Sequence, residues 1–165
     1  MTHIFDKFKK KKPRYPTIYL DNIIDKFSRK LHGSEKDKFE KGKFFSNYYE
    51  CYMYAVMLGL KHNYKLPFDR VKGGDDFSYE IDAWQHKDLV DYLLMGLLAR
   101  SDWQLIDIER LDERQSDDRA FELLVLMEQY AHGGFDIIKS KIDDVPHYFE
   151  SEFSMVIFLN EPVKI

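Results

Sequence analysis

The run from Ser46 to Leu60, Ser-Asn-Tyr-Tyr-Glu-Cys-Tyr-Met-Tyr-Ala-Val-Met-Leu-Gly-Leu, constrains the fold more than any other stretch of the chain. From Tyr48 onward its only charged residue is Glu50. A helix that is apolar on nearly every face has to be enclosed by its neighbours, so this one is predicted to form the centre of a core. Asn47 followed three residues later by Glu50 is a reciprocal N-terminal cap. Gly59, with Leu60 behind it, reads as a left-handed C-terminal stop, where Gly59→Val would cost about 1–2 kcal/mol. The uncharged part, Cys51–Leu60, is far short of the roughly 18 apolar residues of a membrane span.

The rest of the chain is organised around that helix. Leu20, Ile23, Ile24, Phe27 and Leu31 recur at helical steps between Thr17 and Leu31. Lys87–Arg100 carries a wide apolar face of Leu89, Val90, Leu93, Leu94, Leu97 and Leu98. Residues 103–114 suit a short helix. Asp118 is expected to cap a helix that ends at Gly133-Gly134, and a further one runs from Phe135 to about Ile142. The last spans about Tyr148–Leu159. Lys61–Gln85 shows no clear period, and a connection of that length is expected to contain short elements of its own. No pair of alternating strands flanks a turn signal, so the fold class is all-α: one domain over residues 17–165, a bundle of five or six helices around Tyr48–Leu58.

Charge is unevenly distributed. Residues 1–43 hold 13 Lys/Arg against 6 Asp/Glu, a balance of +7; residues 44–165 hold 12 against 23, a balance of −11. The densest run, Lys7-Phe-Lys-Lys-Lys-Lys-Pro-Arg14, repels itself and is interrupted by Pro13, which predicts a flexible basic arm over residues 1–16. Its cations Lys7, Lys9, Lys10, Lys11, Lys12 and Arg14 are candidate nucleic-acid contacts, as are Lys61, His62, Lys65, Arg70 and Lys72 in the aperiodic stretch. A basic segment of this kind is equally suited to the acidic body of its own chain or of a second copy.

Motifs of catalysis are missing. One cysteine excludes an intramolecular disulfide, and Cys51 within the apolar helix reads as a structural thiol. There is no pair of Glu-x-x-His motifs for a di-metal bundle, no phosphate loop around Lys72-Gly-Gly-Asp75, and no nucleophile elbow. Asp82, His86 and Asp88 match no metal spacing, and Asp107 with Glu109 lacks the neighbouring lysine of a nuclease site. No cofactor or metal is expected, and the balance is against an enzyme. Glu128 stands out because it projects with Phe121 and Leu124 toward the apolar side of its helix. It requires either a basic partner such as Arg110 or Arg114, or a catalytic or ligand-binding task.

Two stretches, Ala55-Val-Met-Leu-Gly-Leu-Lys-His-Asn-Tyr-Lys-Leu-Pro-Phe68 and Glu128-Gln-Tyr-Ala-His-Gly-Gly-Phe135, resemble the small helical proteins called dnd system-associated protein 4. Those proteins are encoded beside bacterial DNA phosphorothioation systems. They have an Ala-rich helix ending in Leu-Gly-aromatic-Lys-His, then Pro-Phe, and later Glu-Glu-Tyr-Ala-Asn-Gly-Gly-Leu. Here Leu60 replaces the aromatic residue, His132 the Asn, and Phe135 the Leu. The resemblance covers residues 46–142 and implies a cytoplasmic accessory of DNA modification or anti-phage defence, with no catalytic residues to carry over. Three readings of function stand: a non-enzymatic accessory that contacts DNA through its basic segments, a protein-interaction or oligomerisation module, or an enzyme whose site the known motifs do not reveal. The partners admitted are DNA, other defence-system proteins and a second copy of the chain; a membrane is not among them.

Overall fold

A computed structural model describes residues 2–29, 42–77 and 79–165. Helix α1 (Thr2–Lys9) leads to strand β1 (Arg14–Pro16), a 3-10 turn at Thr17–Tyr19, a π turn at Leu20–Ile24 and the single turn α2 (Asp25–Phe27). Then come α3 (Tyr48–Lys61), β2 (Gly74–Asp76), a 3-10 turn at Ile81–Ala83, α4 (Lys87–Arg100) and α5 (Leu105–Ile108). The chain finishes with α6 (Glu113–Asp144), a 3-10 turn at Tyr148–Glu150 and α7 (Ser154–Asn160). The class is mostly α, with β1 and β2 forming a two-stranded antiparallel ribbon that pairs Arg14 with Asp76 and Pro16 with Gly74. No helix among the described residues is long and apolar enough to cross a membrane.

The core is built on α3, as its composition requires. Cys51, Tyr52, Ala55, Val56 and Leu58 are fully buried, and α6 is its main neighbour. Asn47 caps α3 by accepting from the Glu50 amide at 3.2 Å, while the Glu50 carboxylate accepts from Ser46 N at 2.7 Å. The end of α3 differs from expectation. Gly59 lies within the helix without a positive φ, the helix continues to Lys61, and Asn63 takes the left-handed turn at φ 47°. Asparagine tolerates that region better than most residues with a Cβ.

Gly59 is needed for proximity instead. A Cβ there would lie 2.1 Å from Tyr130 O, and one on Gly134 would lie 1.7 Å from Ala55 O. Ala55 and Gly59 on α3, with Tyr130 and Gly134 on α6, each one turn apart, bring the two backbones together. Gly133 receives the loop after α3, whose Tyr64 O sits 2.1 Å from where its Cβ would be. The predicted break at Gly133-Gly134 is therefore absent. Helix α6 passes through both glycines for 32 residues, because its neighbours compensate for the glycines' weak helix propensity. It also begins before Asp118, with a capping box in which Asp112 accepts from Gln115 N at 2.7 Å and Gln115 accepts from Asp112 N at 3.0 Å.

The helix expected over 17–31 is three short turns that end at Phe27, and residues 30 and 31 lie outside the described part. Its apolar positions Ile23, Ile24 and Phe27 are nonetheless buried. Beyond Phe27 the backbone becomes extended, with Arg29 N donating to Phe45 O at 2.9 Å and Phe45 N to Phe27 O at 3.0 Å. Pairing with residues 44 and 45 replaces the next helical turn.

Candidate functional site

The basic N-terminal segment is where structure and expectation diverge most. Residues 2–9 form a helix, and Ile4 and Phe8, one turn apart, are each 1% exposed. Burial of two large apolar side chains outweighs the mutual repulsion of the lysines, at roughly 1.5–3 kcal/mol each. Those lysines then meet acids of the body. Lys7 Nζ is 2.9 Å from Asp117 of α6 and donates to Glu113 O at 2.8 Å. Lys9 Nζ is 2.7 Å from Asp91 of α4, and Lys10 Nζ is 3.2 Å from Asp82 of the 3-10 turn. The hydrogen bonds from Lys7 and Lys10 hold the Asp117 and Asp82 carboxyls below their usual range. Lys11 and Lys12 have no ion pair among the described residues, and Lys11 O accepts from Ile81 N at 3.1 Å.

Arg14 belongs to a separate, buried cluster. Glu128, 1% exposed, accepts from the Arg14 backbone N–H at 2.8 Å. Arg70 Nε lies 2.7 Å from its Oε1 and donates to its Oε2 at 3.1 Å. The Arg14 guanidinium donates to Arg70 O, and the Arg70 guanidinium rests 5.0 Å from the Phe121 ring centroid. Burial pushes the Glu128 carboxyl above its ordinary value, and the Arg14 amide and Arg70 oppose that shift. The expected partners Arg110 and Arg114 are out of range. Arg114 lies in the first turn of the same helix, fourteen residues earlier and about 21 Å along the axis. The partner comes from the aperiodic loop and the second bond from a backbone amide, which no spacing in the sequence discloses.

The remaining basic candidates are dispersed. Lys61 Nζ donates to Leu159 O of α7. His62 is half-buried with Nε2 unpartnered, and desolvation, aided by Lys61, lowers its pKa. Lys65 Nζ stands 5.9 Å from the Tyr130 ring centroid. Lys72 is exposed, and its backbone N–H donates to Asp69 Oδ1 at 3.1 Å.

The acid and histidine combinations do not converge. Asp82 is engaged by Lys10, while His86 Nε2 lies 3.1 Å from Glu50 Oε1. Among the described residues no group of three or more His, Cys, Asp or Glu is arranged to hold a metal. Asp107 and Glu109 are exposed, the former within α5 and the latter at its end. A hollow of about 470 Å³ at the start of α4 is lined by His86, Lys87, Asp88, Leu89 and Tyr92 and opens widely to solvent. Cys51 is enclosed, and burial pushes its thiol up to about 12, which removes it as a nucleophile.

A family model described as DNA sulphur modification system-associated protein 4 matches residues 26–161. In the same comparisons no curated protein and no solved structure matches the chain.

Proposed function

The chain belongs to the DNA sulphur modification system-associated protein 4 family, and from that premise we propose that it is a non-enzymatic accessory of the bacterial cytoplasm that acts by binding other proteins of its system. An accessory role in DNA sulphur modification follows from the family. One observation supports protein contact as its mode: Lys7, Lys9 and Lys10 already neutralise acids of the same chain, and the Arg14 guanidinium is engaged by Arg70 O. Cations satisfied in this way release few counterions on meeting a phosphate backbone. The test is co-elution of this protein with the purified proteins of its modification system, and failure to join any of them rejects the reading.

Direct DNA contact is the second reading, supported by Lys12, Lys65 and Lys72, which are exposed and without an ion pair among the described residues. Two or three such contacts would give a log–log salt slope of about −2 to −3, from about 0.9 per neutralised phosphate. Retarded migration of duplex DNA at about 50 mM salt, lost on Lys12→Glu, Lys65→Glu and Lys72→Glu together, would favour it over the first. No retardation at that salt dismisses it.

A further inference from the structure

We propose that the surface beneath α1 is a docking groove for a basic amphipathic helix presented by a partner protein, and that α1 is its intramolecular occupant. The proposal rests on the protein-contact reading and names the partner's chemistry. The groove is formed by α6 and the 3-10 turn at Ile81–Ala83, where Ile4 and Phe8 are buried, and Asp91 of α4 reaches its edge. Its rim carries Asp117, Asp91 and Asp82, one on each element, and each meets one lysine of α1 or of its exit. Apolar residues four apart, flanked by cations that match three carboxylates, are the features by which a groove recognises a helix.

An eight-residue helix is not stable alone in water, so α1 depends on its groove as a bound peptide would. Lys10–Pro13 lies outside any helix or strand, with Pro13 itself buried; beyond Ile4 and Phe8, α1 and its exit are held by the partly buried Phe5, the Ile81–Lys11 hydrogen bond, the Lys7 bond to Glu113 O and three surface ion pairs. Such pairs are individually weak and screened by salt. From Arg14 onward the chain is fixed by Glu128 and by the β1–β2 ribbon, so α1 can leave without disturbing them. The acidic rim lies within the residues the family model matches, whereas α1 lies before them.

A fluorescent peptide of residues 2–12 tests the groove on full-length protein carrying Phe8→Ala, which loosens the resident helix. Saturable binding is expected at about 50 mM salt, weakened at least about fivefold by Asp82→Asn, Asp91→Asn and Asp117→Asn together. No binding to folded Phe8→Ala protein overturns the proposal. Should that variant not fold, hydrogen exchange on the unaltered protein decides. The α1 amides are expected to exchange at least about 100-fold faster than those of α3 and α6; exchange of α1 only through global unfolding overturns the groove. Excess peptide is also expected to block co-elution with purified system proteins. Co-elution unaffected by peptide overturns the groove and leaves the protein-contact reading intact. Peptide binding without any co-elution upholds the groove and removes the wider reading. A dimer formed by exchange of α1 between copies, with no partner displaced, would assign the groove to a second copy and overturn the partner.

Discussion

Where α3 crosses α6, backbone meets backbone; where α1 meets α6, side chains of α1 do the joining. The first contact depends on what is missing, since any Cβ on Gly59 or Gly134 would enter the backbone of the opposite helix. The second depends on the apolar side chains of Ile4 and Phe8 and on Lys7 reaching Asp117, with Lys9 and Lys10 paired to Asp91 of α4 and Asp82 of the 3-10 turn beside it. A close-packed crossing admits no partial opening, because atoms at contact distance have no softer arrangement nearby. A helix held by two anchors and three screened charges can detach as a unit. One chain thus contains a rigid joint and a releasable one, both on α6.

The largest expected effect is on the rigid joint. Gly134→Val should destabilise by about 4 kcal/mol or more, beyond ordinary overpacking, because Ala55 O is a backbone atom that cannot turn aside. Urea unfolding measures it, and a cost under about 1 kcal/mol would mean that the helices separate easily and that the contrast is false.

Arg70→Ala tests the cluster between the two regions and should cost about 3 kcal/mol at neutral pH, since it leaves a buried carboxylate with only the Arg14 amide. The cost should depend on pH. Glu128 already titrates above its ordinary value, and loss of the guanidinium raises it further. The native state then retains a proton that the unfolded chain releases, so stability falls as pH climbs from about 4.5 toward the raised native value. Unfolding at acidic and at neutral pH should therefore show a small penalty at the first and a large one at the second. A penalty independent of pH would assign Arg70's role to its packing on Phe121.

Phe8→Ala should cost about 2 kcal/mol, below the 3–5 typical of a core phenylalanine, because α1 can undock instead of preserving a cavity. A full core penalty would make α1 an integral part of the bundle. The smallest effect is at the rim: Asp117→Asn should weaken α1 docking slightly at low ionic strength and not at all at about 0.5 M salt, read by hydrogen exchange of α1. Salt-independent loss would show that Asp117 acts other than by charge.

The sequence alone shows that the helix within Ser46–Leu60 belongs in the core, that the class is helical and that Cys51 is a buried structural thiol, because each follows from composition or local period. It also contains the two stretches that identify the family, and the structure explains why they occur together. Ala55 and Gly59 come from one, Tyr130 and Gly134 from the other, and they meet at the α3–α6 crossing. Their glycines look like helix terminators in the sequence, because a glycine needed for proximity and a glycine needed for positive φ are the same letter.

What tertiary structure decided are the pairings over long separations. The +7 segment is complementary to the −11 remainder, yet only the fold selects Asp117, Asp91 and Asp82 for Lys7, Lys9 and Lys10. The polar requirement of Glu128 is visible on a helical wheel, but its answer lies 58 residues away at Arg70 and 114 away at the Arg14 amide. Local sequence sets which face of a helix is apolar, because that depends on neighbours within a turn or two. Which distant charge comes to rest beside it depends on how whole helices pack, and no period in the chain records that.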